Sequence, residues 1–303
     1  MTQEDENIVN GKARMLGDRS IGALAFGCWR LVGYDTKAAT SLISAALDFG
    51  MTLIDNADVY GLDWGGKAFG ESETLLGNVI AQAPELRDKM VLASKGSILP
   101  GVPYVANTAY LNAACEASLR RLQADHIDLY QIHRPDMFTH PQETAAALDG
   151  LVAAGKVSMI GVSNYTQAQI RSLQRHLKAP IVSVQSAYAV SKLNLLRDGT
   201  LDLCMEMGMT PLAWSPLDGG HIVSGENQPP ALLDALDKLA KRENVDRAAI
   251  AIAFILAHPA GCVPIIGSQT VGRLDAAAAA KDVTLTRRDV YHLIEASEGT
   301  PLP

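Results

Sequence analysis

Four polar side chains with complementary acid–base chemistry stand at or just beyond the ends of short apolar runs. Asp55 ends the run MTLID, Lys95 ends MVLASK and His133 ends IDLYQIH, while Tyr60 follows Asp55 in the segment DNADVY. A carboxylate and an ammonium at buried strand ends are costly unless they pair, so we expect Asp55 and Lys95 to form an ion pair beside Tyr60. Because a nearby ammonium favours the phenolate, we expect the pKa of Tyr60 to fall from about 10 towards neutral pH.

Such a group could protonate the oxygen of a carbonyl substrate. Tyr60 would act as the general acid, and His133 would hydrogen-bond the same oxygen and stabilise the charge that develops on it. Taken singly, each residue has a common structural use, since a strand-end Asp often caps a turn and a lone Tyr or His often packs. The prediction therefore depends on their meeting at one place.

The pattern of apolar runs supplies a reason for them to meet. Eight short runs alternate with stretches of helical spacing, which is typical of parallel strands covered by helices, and eight of them favour a closed barrel. We predict one (β/α)8 TIM barrel over residues 1–303, with an N-terminal hairpin before about Asp18 and a C-terminal helix after Thr286. The carboxyl ends of the strands would then meet on one face. The predicted strands are residues 23–28, 51–55, 90–95, 127–133, 157–164, 181–186, 210–215 and 262–268, and the predicted helices are 36–49, 72–83, 107–123, 142–154, 167–177 and 232–242, with a long loop at 217–230.

Composition excludes several other classes of protein. The net charge of −7, with no cluster of Lys and Arg, argues against a nucleic-acid partner. The longest apolar stretch, near 249–256, is too short for a membrane span. The N-terminus has no signal-peptide pattern, so we expect a cytoplasmic protein. The four cysteines are far apart, which predicts buried thiols rather than disulfides or a zinc site, and the chemistry above needs no metal.

Three of these segments resemble the aldo-keto reductases, and the resemblance covers almost the whole chain. DNADVYG at 55–61, ASKG at 93–96 and DLYQIHRPD at 128–136 are similar to the segments that carry the catalytic residues of that family. The resemblance implies that Asp55, Tyr60, Lys95 and His133 form a catalytic tetrad. It also implies a TIM barrel that reduces a small aldehyde or ketone with NADPH, NADH being a possible weaker cofactor.

The same resemblance implies a set of cofactor contacts. GVSN at 161–164 and Gln185 are similar to the carboxamide site, WSPL at 214–217 to the nicotinamide stacking segment, and PIIGSQTVGRLDAA at 264–277 to the adenosine and 2′-phosphate site. Gly267 and Ala277 depart from the Lys and Asn of many members, which weakens the expected preference for NADPH. The implied cofactor-binding residues are Gly27, Cys28, Trp29, Ser163, Asn164, Gln185, Trp214, Ser215, Pro216, Leu217, Gly219, Ile266, Gly267, Ser268, Thr270 and Arg273, and Trp29 and Trp64 are predicted to line the substrate pocket.

Two other functions remain open at this point. The barrel could be a cofactor-binding regulatory or sensor module with slow reductase chemistry, as in channel-associated members of the family, although the complete tetrad argues against this. It could also be a lyase or aldolase in which Lys95 forms a Schiff base. Asp55 should keep Lys95 charged and poorly nucleophilic, which counts against the second option. The family often forms monomers, and we expect one here.

Overall fold

Eight parallel strands form a closed barrel in the computed structural model, which describes residues 6–62 and 65–303. Neighbouring strands pair in chain order, and the last strand closes the ring by pairing with the first. Each apolar run predicted as a strand contributes one barrel strand, so the predicted TIM-barrel fold is confirmed. The strands are β1 (Arg14–Leu16) and β2 (Arg19–Ile21), which form a hairpin, and then β3 (Ala25–Gly27), β4 (Leu53–Asp55), β5 (Val91–Gly96), β6 (Ile127–Ile132), β7 (Val157–Ser163), β8 (Ile181–Ala187), β9 (Thr210–Trp214) and β10 (Val263–Ile266).

Two apolar layers hold the barrel together. The inner layer fills the lumen with side chains such as Leu53, Ala93 and Leu129, which alternate along their strands with residues facing the helices. The outer layer lies between strands and helices and is far larger. Because the apolar inner layer occupies the lower part of the lumen, the polar residues at positions 55, 95 and 131 lie above it, at the carboxyl end.

The hairpin closes the amino end of the barrel, as predicted, but its second strand, Arg19–Ile21, lies beyond the predicted limit near Asp18. Leu16 and Ile21 are fully buried and join the inner apolar layer, while Met15, between Arg14 and Leu16, is exposed. The hydroxyl of Thr210 donates to the Met15 carbonyl at 2.6 Å and ties the hairpin to β9. The turn uses Gly17 at φ +57, where a Cβ atom would stand 2.9 Å from the sulfur of Met159. The hairpin is therefore a plug whose turn requires glycine.

Helices surround the barrel, and the amphipathic ones were predictable. Each of the seven helices expected from apolar spacing is present, with ends that differ from the prediction by at most three residues. The helices are α1 (Thr36–Asp48), α2 (Glu71–Gln82), α3 (Thr108–Leu122), α4 (Pro141–Ala153), α5 (Gln167–Gln174), α6 (Thr200–Met207), α7 (His221–Ser224), α8 (Pro230–Glu243), α9 (Arg247–Leu256), α10 (Val271–Ala278) and α11 (Arg287–Glu298).

Four helices, α6, α7, α9 and α10, were not predicted. The clearest case is α9, in which every residue from Ala249 to Leu256 is buried, so that no polar face marks a helical period. The segment at 217–230 was predicted as a long loop, and this needs correction. It holds a 3-10 turn at Asp218–Gly220 and then α7, both too short to produce a periodic pattern.

The amino end of the barrel is stabilised by ion pairs rather than arranged for chemistry. Asp128 on β6 is buried and accepts from Arg87 at 2.8 Å, from the Leu92 backbone at 2.7 Å and from the exposed Arg19 at 3.3 Å. Ion pairs and hydrogen bonds at the amino face of a TIM barrel stabilise the fold, because catalytic residues lie at the opposite face. The four cysteines are buried and free, as expected. None of the helices in the described part of the chain has the length and apolar character needed to cross a membrane.

Candidate active site

Three neighbouring strands deliver the four predicted catalytic residues to the carboxyl end of the barrel. Asp55 is the last residue of β4, Lys95 is the penultimate residue of β5, and His133 directly follows β6. Tyr60 lies in the turn after β4, where its backbone N–H donates to the Ala57 carbonyl at 3.2 Å and its carbonyl accepts from Ser72 at the start of α2. The barrel thus brings all four side chains to one mouth.

Lys95 is the centre of this group. Its ammonium is fully buried and donates to Asp55 Oδ2 at 2.7 Å, to the Asn56 carbonyl at 2.8 Å and to the Tyr60 hydroxyl at 2.9 Å. These three bonds use all three ammonium protons. The Tyr60 oxygen therefore accepts from Lys95, and the phenol's own proton remains available for another acceptor.

Two amides that support Asp55 had no predicted part in this arrangement. Asp55 Oδ1 accepts from Gln185 Nε2 at 2.9 Å and from Gln131 Nε2 at 3.3 Å. Gln185 was predicted only as a cofactor contact, and Gln131 was not singled out. A signal for Gln131 existed, because period-two alternation on β6 places it on the same face as Leu129 and His133, so that a polar residue interrupts an inward-facing apolar row.

The expected fall in the pKa of Tyr60 does not occur in this structure. Burial raises the pKa of Tyr60 to about 12, and the charge of Lys95 offsets only part of that effect. The ammonium favours the phenolate, but the loss of solvent around the phenol disfavours it more strongly. Burial lowers the pKa of Lys95, but Asp55 and Tyr60 outweigh it and leave that pKa raised. Lys95 is thus a persistent cation, which disfavours a Schiff-base role.

His133 completes the group as a neutral ring. Burial, together with the positive charges of Lys95 and Arg134, holds the pKa of His133 well below its usual range. Its ring stands edge-on to that of Tyr60, with centroids 5.7 Å apart and an interplanar angle of 80°. The imidazole Nδ1 atom is buried and has no hydrogen-bond partner among the described residues. A neutral imidazole carries one N–H, which suits a hydrogen bond to an uncharged substrate oxygen.

The residues predicted for the carboxamide site cluster at the ends of β7 and β8. Ser163 pairs in register with Gln185, and the Asn164 backbone N–H donates to the Gln185 carbonyl at 2.9 Å. Asn164 has φ +59, and its side-chain amide donates to Ser163 Oγ at 2.8 Å and to the His133 carbonyl at 3.2 Å. Its Oδ1 accepts from the Trp214 indole at 3.1 Å. These bonds join the predicted cofactor residues to the backbone of the tetrad.

Trp214 ends β9 and begins a segment rich in positive φ angles. Ser215 has φ +54 and Gly219 φ +70. Ser215 Oγ accepts from the Gly219 backbone N–H at 2.8 Å, which closes a tight turn directly after β9. Arg30 donates to the Gly219 carbonyl at 3.2 Å, so this segment also contacts the loop after β3. Between these residues, Pro216 is buried and Leu217 is partly exposed.

The predicted adenosine segment is more open. Ile266 ends β10 and is buried, Gly267 and Ser268 are partly exposed, and Thr270 precedes α10. The Thr270 side chain makes no capping bond to the first turn of that helix. Arg273, in the first turn, is exposed and has no ion pair or hydrogen bond from its guanidinium within residues 6–62 and 65–303. This helix start therefore presents free backbone donors and a cation.

The predicted first-loop residues have mixed surroundings. Gly27 pairs in register with Asp55, and a Cβ atom there would stand 2.8 Å from Ile265. Cys28 is fully buried, so its side chain cannot reach a ligand, and its carbonyl accepts from Ser72 Oγ at 2.8 Å. Trp29 is partly exposed, with the Arg30 guanidinium 5.7 Å from its ring centroid. Trp64, the second predicted pocket residue, lies outside the described residues.

Comparison with known proteins identifies the family of this chain. The model of the aldo/keto reductase family matches residues 23–298. A 6-dehydroglucose reductase of Novosphingobium aromaticivorans is 44% identical over 96% of this chain and 97% of its own length. A 6-dehydroglucose reductase of Agrobacterium fabrum is 35% identical over 92% and 95%. The crystal structure of an aldo/keto reductase from Klebsiella pneumoniae, in complex with NADP and acetate, superposes with a TM-score of 0.80, 27% identity and 97% coverage of both chains.

The neutral state of His133 predicts a pH dependence of stability. Its folded pKa lies well below that of the unfolded chain, so the unfolded state binds a proton first as pH falls below about 6.5, and that proton favours unfolding. Between pH 7.5 and 5.5 this one site should remove about 1 kcal/mol from the free energy of unfolding. His133→Gln should lose less stability over that interval than the wild type, as measured by urea denaturation at both pH values.

The control makes the same change at an exposed position. His292 on α11 is solvated when the protein is folded, so His292→Gln should keep the wild-type dependence on pH. Equal losses of stability in wild type and His133→Gln would contradict a neutral His133.

Proposed function

Because the chain belongs to the aldo/keto reductase family, and is therefore an oxidoreductase, we propose that it reduces an aldehyde or ketone to the alcohol with NADPH as hydride donor. The observation that carries the proposal is the hydrogen-bonded row from Asp55 through Lys95 to the Tyr60 hydroxyl, with distances of 2.7 and 2.9 Å, beside the neutral His133. When bound, NADPH supplies the hydride that the carbonyl carbon accepts.

Tyr60 acts as the general acid in this proposal. Its oxygen accepts from Lys95, so the phenol proton is directed to the substrate oxygen. With a pKa of about 12, the phenol stays protonated at neutral pH and is ready to donate. An alkoxide is a much stronger base than a phenolate, so the transfer is downhill once negative charge develops on the oxygen. The buried ammonium of Lys95 then stabilises the phenolate that remains.

His133 orients the substrate oxygen without protonating it. A neutral imidazole donates one N–H to the carbonyl oxygen and adds no positive charge beside Lys95. The oxygen would accept from Tyr60 and His133 together, and these two donors, set edge-on, fix the direction from which the carbonyl carbon is exposed. The proton therefore comes from the phenol, and the imidazole supplies position.

The residues around the barrel mouth fit the nicotinamide and pyrophosphate groups of NADPH. Gln185, Ser163 and Asn164 offer amide and hydroxyl groups for the nicotinamide carboxamide, and Trp214 offers a ring face for stacking. Ser215, Pro216, Leu217 and Gly219 would approach the pyrophosphate. Gly27, Cys28 and Trp29 would contact the cofactor from the first loop, Cys28 through its backbone because its side chain is buried.

The start of α10 supports the choice of NADPH over NADH. A helix N-terminus without a side-chain cap, a nearby Ser268 hydroxyl and the unpaired cation of Arg273 together suit a phosphate monoester. Ile266, Gly267 and Thr270 would flank the adenosine. The Klebsiella structure with NADP lends further support. NADH, which lacks the 2′-phosphate, would bind more weakly.

We further propose that the substrate is a polyhydroxylated aldehyde of the 6-dehydroglucose type. Two relatives from different bacteria, 44% and 35% identical to this chain over more than nine-tenths of its length, are both 6-dehydroglucose reductases. In that sugar the carbon at position 6 is an aldehyde, and hydride addition followed by protonation from Tyr60 would return a primary alcohol. The product of the proposed reaction is glucose.

Tyr60→Phe should abolish most turnover and spare cofactor binding. The variant keeps the ring but removes the proton, and general acids contribute about 10² to 10⁴ in rate. We expect kcat to fall by that factor while the Kd for NADPH, measured by quenching of protein fluorescence, changes by less than about 2-fold. Tyr291→Phe, on the exposed face of α11, is the matched control and should behave as wild type. Turnover within about 10-fold of wild type would exclude Tyr60 as the acid.

Arg273→Ala should weaken NADPH binding selectively. Loss of a charge-assisted hydrogen bond costs about 1.5–3 kcal/mol, so the Kd for NADPH should rise by about 10- to 100-fold while the Kd for NADH stays unchanged. Fluorescence titration with each cofactor provides the measurement. Arg287→Ala, which removes an exposed arginine from the start of α11, is the control. Equal weakening of both cofactors would place Arg273 away from the 2′-phosphate.

The substrate proposal predicts a preference between aldehydes. 6-Dehydroglucose should be reduced with a kcat/KM at least about 10-fold above that of propanal, because buried polar groups that bind hydroxyls are left unpaired by an apolar analogue. NADPH oxidation followed by absorbance, with glucose identified as the product, measures this. A preference for propanal would refute the sugar substrate and leave carbonyl reduction standing.

A further inference from the structure

The two oxygens of the Asp55 carboxylate have different partners. Oδ2 accepts from the Lys95 ammonium at 2.7 Å, and Oδ1 accepts from the side-chain amides of Gln185 at 2.9 Å and Gln131 at 3.3 Å. Asp55 is almost completely buried, so water does not replace any of these donors. The direction of the Lys95 contact therefore depends on what holds Oδ1.

The two amides are not equivalent. Gln185 belongs to the group that the proposed function assigns to the nicotinamide carboxamide, so its amide is shared with a ligand. Gln131 is fully buried, pairs in register with Lys95 and is not among the residues that the proposed function assigns to a ligand. Its Oε1 atom has no hydrogen-bond partner in the described part of the chain, so the single hydrogen bond found for its side chain is the one to Asp55.

We propose that Gln131 is a positioning residue for carbonyl reduction, whose buried amide fixes the Asp55 carboxylate so that Lys95 stays directed at the Tyr60 hydroxyl. This inference rests on the proposed function and concerns the same site. A neutral amide suits the task, because it donates to Oδ1 without competing with Lys95 as a second cation would. With Gln131 in place, Oδ1 keeps one donor whatever Gln185 does.

Removing that donor should weaken the hydrogen bond from Lys95 to the Tyr60 hydroxyl. With Oδ1 less well satisfied, the carboxylate can turn and draw both oxygens towards the ammonium, which lengthens the contact between Lys95 and the phenol. The charged and titratable groups that face Tyr60 are Asp55 from β4, Lys95 from β5, His133 after β6 and Cys28 after β3. Lys95 is the cation closest to the phenol, so a weaker contact favours the protonated phenol.

Gln131→Met tests the proposal, since methionine has nearly the same volume and no amide. The measurement is the pH profile of kcat for alcohol oxidation with NADP⁺, in which Tyr60 must lose its proton. We expect the apparent pKa of the limb on which kcat rises with pH to increase by about 0.5–1 unit and kcat at pH 7 to fall by about 3- to 10-fold, with the Kd for NADPH within about 2-fold of wild type.

Ser183→Ala is the matched control. Ser183 is fully buried in the same lumen, is joined to Gln131 through Gly161 in the strand register, and its hydroxyl has no partner among the described residues. It makes no contact with Asp55, so its variant should keep the wild-type profile. A wild-type profile in Gln131→Met, or an equal shift in Ser183→Ala, would overturn the positioning role.

Gln131→Glu covers the case in which the methionine variant does not fold. Its carboxyl group donates to Asp55 only while protonated, so we expect near wild-type kcat for carbonyl reduction at low pH and a decline with rising pH where the wild type is flat. Parallel profiles would overturn the proposal. Absence of reductase activity in the wild type would instead refute the proposed function, so the two failures are distinguishable.

Discussion

A buried ion pair between Asp55 and Lys95 is the interaction on which the active-site architecture depends. Two charges removed from water are costly, and such a pair persists only when every remaining donor and acceptor is satisfied. Here the ammonium uses all three protons, and the carboxylate accepts from two amides as well as from the lysine. The same arrangement that makes the pair tolerable also directs one lysine proton at the Tyr60 oxygen. The hydrogen bonds of the Lys95 ammonium therefore both stabilise the ion pair and orient the phenol.

The closed barrel makes this pair possible. Strands β4, β5 and β6 are adjacent and in fixed register, in which Asp55 pairs with Ala93 and Lys95 with Gln131. The inward-facing Asp55, Lys95 and Gln131 therefore form part of a polar ring at the carboxyl end of the barrel. Below this ring the lumen is filled with aliphatic side chains and is closed by the hairpin plug. Charged groups at the opposite end, around Asp128, are tied into ion pairs with arginines and serve stability. Chemistry and stability are thus separated along the barrel axis.

The second half of the ring supports the proposed cofactor site. Strands β7, β8 and β9 bring Asn164, Gln185 and Trp214 together, and Asn164 links the indole of Trp214 to the His133 carbonyl. Closure of the barrel through β10 and β3 then brings the Arg30 loop against Gly219. A ligand bound along β7 to β10 would therefore contact residues that hydrogen-bond to the tetrad. This accounts for how residues distant in sequence can meet at one site.

The amino-acid sequence determined the order of strands and helices and the chemical types at the mouth. Short continuous apolar runs and amphipathic spacing are local signals, so eight strands, seven helices and the positions of Asp55, Tyr60, Lys95 and His133 could be predicted from them. Helix α9 could not, because it is buried on every side and its segment shows no period. Only the tertiary structure decided which partners each polar group meets. Gln131 reaches Asp55 from 76 residues away, burial outweighs the Lys95 charge at Tyr60, and His133 is neutral. Desolvation and long-range hydrogen bonds depend on the closed barrel, and no local pattern encodes them.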